Sequence, residues 1–273
     1  MLIDTCLVSC NLNDFYLDFF PVVNKCWNDI CNIRCILILI ANEVPKKLIP
    51  FKDDIILFPP IQGIHDALVA QLIREIYPCI LSNAKGIIMS DIDLIPLNKS
   101  FYLDNVKNIN DDTFVVYRDV LLNDGQIAMC FNGATSTIWK DVWQHFGFTI
   151  NNEEDIRILI KHLCSSLYFD GRPGYHGWFT DQLILYRLVM NYKMKTDKVI
   201  ILKDTENGWN RLDRADTEYI KNNKEDILTE VNNNKYSDYH LPRPWNQYKD
   251  FIMYFLSTLL KKESIEMIQN YLS

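Results

Sequence analysis

One stretch, Gly86-Ile87-Ile88-Met89-Ser90-Asp91-Ile92-Asp93-Leu94-Ile95-Pro96-Leu97, narrows the fold more than any other. The apolar run after Gly86 reads as a strand buried on both faces of a sheet, the pattern of a largely parallel sheet flanked by helices. It stops abruptly at two aspartates spaced i and i+2. On an extended backbone such residues point the same way, so Asp91 and Asp93 are expected to face one space beyond the strand's C-terminal end. That is where ligands bind in open α/β sheets. Two converging carboxylates suit Mg²⁺ or Mn²⁺, ions that in turn hold diphosphates. Asp-x-Asp alone is a weak motif, and its position after a buried strand gives it weight.

The elements around it alternate. Residues 4–10 read as a first strand, followed by a polar turn and a helix to about Trp27. Arg34 to Ala41 and Asp54 to Phe58 are further strands, which predicts parallel crossovers in a doubly wound sheet. Ile64 to Tyr77 has the apolar stripe of a helix, with Arg74 near its end facing the strand mouth. Strands are expected at Thr113–Tyr117, Gln126–Phe131 and Val199–Leu202. Asn132-Gly133 reads as a turn into a helix over Thr135–His145. Glu153–Leu167 is expected as a helix, and Thr180-Asp181-Gln182 as the cap of one running to about Tyr192. Between these two helices, Asp170–Trp178 combines three glycines with Tyr175, His176 and Trp178, the composition of a mobile binding loop. The polar stretch Asn207–Asn234 is expected to be helical with irregular flanks, and HLPRPW irregular. Gln247–Leu272 is amphipathic; core packing is its expected role, with peripheral membrane or partner contact as the alternative. Neither a Rossmann dinucleotide loop nor a P-loop occurs.

The chain of 273 residues carries a net charge of -7, which argues against nucleic acid as the main partner. A local arginine and a metal could still hold a phosphorylated ligand. The eight cysteines mostly sit in apolar runs with no Cys-x-x-Cys pair, as expected of reduced core thiols in a cytoplasmic protein. The N-terminus carries an acid and no basic region, so it reads as a strand and not a signal peptide. No apolar run approaches the ~20 residues of a membrane span.

Several motifs stand in a telling order: LIREIYP before the carboxylates, then SDIDLIPL, CFNGA, FTDQLILY and HLPRPW. Together they resemble the GT-A glycosyltransferases, especially the glycogenin-like branch that uses nucleotide-diphospho-sugars. The resemblance covers residues 1–245, and implies one α/β domain with residues 246–273 as a C-terminal amphipathic helix packed upon it. It further implies a metal-dependent transferase, using Mn²⁺ or Mg²⁺ to move a sugar from a nucleotide donor, UDP-sugars favoured, to a hydroxyl on a glycan, protein or lipid. Asp91, Asp93 and His240 match the metal ligands of that family. Arg74 matches the arginine beside the Asp-x-Asp, and Asp181-Gln182 the catalytic pair. Cys10 and Asn11 fall where the donor base sits, Asn132 and Gly133 near the donor sugar, and Arg243 at the diphosphate. As a physical matter Asp181 is the best-placed base for an acceptor hydroxyl. A sugar-1-phosphate nucleotidyltransferase is the alternative enzyme, but it needs a glycine-rich basic loop after the first strand, where this chain has Cys-Asn-Leu-Asn-Asp. A catalytically silent nucleotide-sugar-binding module is the other alternative. The residues leave open which sugar and acceptor are used, and whether configuration is retained or inverted.

Overall fold

A computed structural model describes residues 1–272. Its strands are β1 (Thr5–Asn11), β2 (Arg34–Ile40), β3 (Ile55–Phe58), β4 (Ile87–Met89), β5 (Leu94–Pro96), β6 (Phe114–Val116), β7 (Asn132–Ala134), β8 (Val199–Ile201), β9 (Arg211–Leu212) and β10 (Asp238–His240). Seven form one sheet in the order β3-β2-β1-β4-β7-β6-β8. β1 to β4 run parallel, β7 is antiparallel to both β4 and β6, and β8 is parallel to β6. β5, β10 and β9 make a small second sheet beside the ends of the first.

Successive side chains on the central strands feed opposite faces, and both faces are covered. Cys6, Val8, Leu37, Leu39 and Ile88 enter one core with Phe20, Val23, Phe255 and Ile268. Leu7, Ile36, Ile38, Ile87 and Met89 enter the other, against the helices Asp66–Ile76, Ser136–His145, Glu153–Cys164 and Thr180–Lys195. Such double burial explains why these strands are largely apolar rather than alternating. Truncating Ile88, which is fully buried, would cost on the order of 2–5 kcal/mol.

Several sequence expectations are corrected. The stretch before β2 is two short helices, Asp14–Leu17 and Phe20–Cys26, followed by a turn of wider helix at Trp27–Cys31. Gln126–Phe131 is not a strand. Asn132 donates through Nδ2 to the carbonyls of Ala128 and Met129 at 2.8 and 3.0 Å, folding that segment back as a strap. Asn132-Gly133 itself lies in β7, where the bare Gly133 α-carbon faces the Tyr117 ring and the Ile87 carbonyl. Tertiary packing thus overrides a local turn signal.

The polar stretch 207–234 supplies β9 and the helices Thr217–Asn222 and Lys224–Asn232, and the HLPRPW region supplies the end of β10. The C-terminal stretch is two helices, Trp245–Ser257 and Lys262–Leu272, instead of one. Their apolar faces are spent on the body of the protein: Trp245 meets Phe19 edge-on and Tyr271 meets Phe51. Ser273, the last residue of the expected helix, lies outside the described residues. Among those residues no helix is long and apolar enough to cross a membrane.

Candidate active site

β4 ends at Met89, and Asp91-Ile92-Asp93 form a turn closed by the Leu94 N–H donating to the Asp91 carbonyl at 3.2 Å. Both carboxylates line one cavity of about 690 Å³ at the C-terminal mouth of β1 and β4. They converge as expected, but through the turn and not by alternation along a strand. Cys10 and Asn11, at the end of β1, line the same space.

His240 closes the far side. It ends β10, which pairs antiparallel with β5 so that His240 sits opposite Leu94. The Leu241 N–H then donates to the Asp93 carbonyl at 2.9 Å. This ladder brings the ring Nε2 to 3.5 Å from Asp93 Oδ2, while Nδ1 faces Asp213 Oδ2 at 3.3 Å. Burial, helped by the charges of Arg214 and Arg211, holds the imidazole pKa below its ordinary value against the pull of Asp93. A neutral ring places its proton on Nδ1 for Asp213 and keeps a lone pair on Nε2.

This donor chemistry suits a divalent ion. Neutral imidazole oriented by a carboxylate behind it is the usual dress of a metal-binding histidine. Two ligands of one ion with ~2.1 Å bonds lie roughly 3 Å apart, close to the 3.5 Å seen between Asp93 and His240. The complete triad implied by the resemblance is not assembled. Asp91 is turned to Arg74 through Oδ1, and among the described residues no group of three or more His, Cys, Asp and Glu is set to hold an ion. Asp91 keeps its second oxygen, with 31 % of its side chain exposed.

Arg74 organises the opposite wall. It occupies the last turn of the helix Asp66–Ile76, whose Leu68, Leu72 and Ile76 are in the core. Nη1 bonds Asp91 and Nη2 meets Asp181 Oδ2 at 2.9 Å. The two carboxylates are driven apart. Burial raises Asp91, but the adjoining guanidinium outweighs it and leaves the group below the usual range. Asp181, 2 % exposed, is pushed above that range by burial and by the charge of Asp91, in spite of Arg74. Environments that split paired carboxylates in this way mark acid–base sites.

The expected capping role of Asp181 is corrected: Phe179 occupies the cap position without a side-chain bond, and Asp181 Oδ1 accepts from the Gln182 N–H. The Gln182 side-chain oxygen is buried without a partner, and Gln182 lines the cavity.

Other expected residues fall differently. Neither Asn132 nor Gly133 lines the cavity; Asn132 holds the strap whose Ala128, Met129 and Cys130 do. In the glycine-rich loop, Gly171, Pro173, Trp178 and the following Phe179 line the cavity, whereas Tyr175 and His176 face outward. Tyr175 is 61 % exposed under the Arg172 guanidinium. The loop is anchored by Gln71 Nε2 donating to the Trp178 carbonyl at 3.2 Å and by Trp178 stacking on Phe169. Gly171 has φ +75°, and a Cβ there would lie 2.7 Å from His65 Nε2, so only glycine fits. Sequence reasoning missed Arg118, Arg211 and Arg214, which all line the cavity. The signal was two arginines bracketing Asp213 in a stretch otherwise rich in amides and acids.

No protein-family model matches this chain, and no curated protein matches it. Solved structures do. The glycosyltransferase GlyE of Streptococcus pneumoniae TIGR4 matches all of this chain at 13 % identity and a TM-score of 0.51. The galactosyltransferase LgtC, in complex with donor and acceptor sugar analogs, matches 96 % of it at 10 % identity and a TM-score of 0.50. The bifunctional glycosyltransferase WbbM, in its apo form, matches 99 % at 11 % identity and a TM-score of 0.52. The chain spans 64 % of the GlyE chain and 52 % of WbbM, but 99 % of LgtC. At these identities the likeness is one of architecture, and the architecture is the GT-A glycosyltransferase fold.

Proposed function

We propose that this protein is a divalent-metal-assisted glycosyltransferase that takes a sugar from a nucleoside-diphosphate donor, UDP-sugars first, and passes it to a hydroxyl of a glycan, protein or lipid acceptor. One observation carries the reading: a single cavity at the sheet's C-terminal mouth gathers Asp91, Asp93, His240 and Arg243 on one side and Arg74, Asp181 and Gln182 on the other. Residues 1–245 then form the transferase body, and the helices after Pro244 buttress it.

The chemistry follows from the groups. The leaving diphosphate accumulates negative charge as the glycosidic bond breaks. Asp93 and His240 would hold a Mn²⁺ or Mg²⁺, with Asp91 adding the oxygen that Arg74 does not use, and the ion would supply positive charge against the leaving diphosphate. Arg243, stacked over Tyr16 at 4.9 Å, offers phosphate oxygens a planar fork. Cys10 and Asn11 border the donor's base. Asp181, with its raised pKa, accepts the acceptor's proton, and Arg74 restrains that carboxylate while Gln182 offers its free carbonyl to sugar hydroxyls.

Incubating the protein with UDP-, GDP- and other nucleotide sugars under Mn²⁺, and following release of nucleotide, tests the reading. Hydrolysis of at least one donor, abolished by a chelator, is expected. No turnover and no binding of any nucleotide sugar would overturn it.

Two expectations arise here. Trp178, Val120 and Leu121 line the cavity on the apolar side, where sugar rings can stack. Trp178→Ala should raise the acceptor KM roughly tenfold, about 1.4 kcal/mol of binding, and leave donor hydrolysis nearly unchanged. An equal fall in both would make the loop a scaffold. The second expectation concerns pH. A ligand must be neutral imidazole, and His240 titrates below its ordinary value of 6.5. Metal-dependent donor binding should therefore persist through pH 6.5 and fail only in more acidic solution. Calorimetric titrations along a pH series check this, and a midpoint at or above 6.5 would count against His240 as ligand.

A further inference from the structure

Five arginines line the cavity: Arg74, Arg118, Arg211, Arg214 and Arg243. Three have carboxylates of their own. Arg74 is held by Asp91 and Asp181, Arg118 by Asp204 at 2.8 Å, and Arg211 by Asp238. Arg118 also stacks at 3.7 Å on the Trp209 ring, and Arg211 also donates to Cys130 Sγ. Arg214 and Arg243 instead converge on one oxygen, Asp93 Oδ2, at 3.1 and 3.5 Å. The His240 Nε2 reaches that same oxygen. Arg243 has a second support in the rings of Tyr16 and Phe15. Among the described residues the side chain of Arg214 has no ring beneath it: its one ion pair or hydrogen bond is with Asp93, and Asp213 and Asp91 act on it only as more distant charges.

We propose that Arg214 is a built-in counter-ion. It occupies Asp93 while the cavity holds no ligand, and passes to the diphosphate oxygens when cation and nucleotide arrive. This rests on the nucleotide-sugar reading above.

The argument is one of charge balance at a single oxygen. One carboxylate oxygen cannot fully serve two guanidiniums, so positive charge is crowded at Asp93 Oδ2, with the more distant Asp213 and Asp91 offsetting it only in part, and a diphosphate could relieve that crowding. A divalent ion needs the same Asp93 oxygen, so ion and Arg214 compete for it. Metal alone is then penalised twice, by losing the Arg214–Asp93 pair and by facing an unpaired guanidinium. A diphosphate removes both penalties because it binds the ion and accepts the freed guanidinium. Metal and diphosphate therefore bind cooperatively, and the coupling is reciprocal. Arg214 donates its hydrogen bonds throughout, and no covalent bond changes.

The test uses the full chain with Arg214→Gln and Arg214→Lys beside wild type, each checked for cooperative thermal unfolding. Mn²⁺ binding alone is followed by electron paramagnetic resonance. Binding of inorganic pyrophosphate, UDP and GDP, with and without Mn²⁺, is followed by calorimetry. For Arg214→Gln, Mn²⁺ alone should bind about fivefold tighter, while diphosphates in the presence of Mn²⁺ bind about tenfold weaker. Arg214→Lys should lie between this variant and wild type. These opposite shifts separate a counter-ion from a residue that merely supports the fold, whose loss would weaken both. Unchanged or weaker Mn²⁺ binding, or unchanged diphosphate affinity, overturns the proposal. If wild type binds pyrophosphate with Mn²⁺ but no nucleoside diphosphate, the nucleotide-sugar reading falls and the opposite shifts still support the counter-ion. If wild type binds UDP or GDP and Arg214→Gln does so equally well, the counter-ion alone falls.

Discussion

Asp93→Asn is expected to lower kcat/KM at least a thousandfold and to remove metal dependence from whatever activity remains. The residue is 5 % exposed, and its Oδ2 pairs with Arg214 and Arg243 and lies 3.5 Å from His240 Nε2. Asparagine keeps the shape and loses the charge, so two guanidiniums are left facing a neutral amide. Removing one partner of a fully buried pair costs about 3–5 kcal/mol. Arg214 and Arg243 keep some contact with solvent, so about 1–3 kcal/mol of stability is the fitting expectation, read as a lower melting temperature. Metal-free pyrophosphate should meanwhile bind more tightly, because the guanidiniums are released. The backbone ladder to Leu241 uses the Asp93 carbonyl and survives the change. Near-normal turnover with unchanged Mn²⁺ dependence would remove Asp93 from the proposed machinery.

Asp181→Asn is the second large effect. A positioned general base contributes roughly 10²–10⁴ in rate, so transfer should fall by at least a hundredfold while nucleotide affinity stays within about threefold of wild type. The amide oxygen can still accept from the Gln182 N–H, and Arg74 retains Asp91. Steady-state transfer alongside calorimetric UDP or GDP binding separates the two readouts. The elevated carboxyl pKa adds a pH signature: wild-type transfer should decline on acidification earlier than an ordinary aspartate would predict. If the variant turns over normally, Asp181 is only an anchor for Arg74.

Much of this was legible in the chain, for definable reasons. β1, β2 and β4 announce themselves because burial on both faces leaves few polar positions along them. The helix bearing Arg74 has a clear apolar stripe, which aims its last turn at the sheet's mouth. Asp91 and Asp93 stand out because charge follows buried strand without transition. His240 and Arg243 became candidates through resemblance alone, since nothing local ties them to residues about 150 positions earlier. Arg214 clusters with Arg211 and Asp213 in the sequence, yet an arginine in a polar stretch reads as solvated, and only the third dimension shows its cavity position. Asn132-Gly133 misled in the other direction: the turn preference is real, but pairing with both β4 and β6 outweighs it. Tyr175 and His176 looked like Trp178 in composition, yet the loop's path turns them outward. Composition cannot distinguish the faces of an irregular segment.

The pairing of β10 with β5 also has a bearing on synthesis. The Asp93 and His240 sides of the cavity come from segments far apart in the chain, and the Leu241–Asp93 backbone bond that joins them forms only after the segment around His240 has emerged. At a translation rate of ~5–20 residues per second, the Asp-x-Asp turn waits about 7–30 seconds for its partner. In that interval β7, β6 and β8 are added to the sheet beside β4, while the cavity still lacks its His240 side. On the proposed reading, competence to bind nucleotide would be acquired in one late step, and a nascent chain arrested before β10 should hold neither metal nor donor.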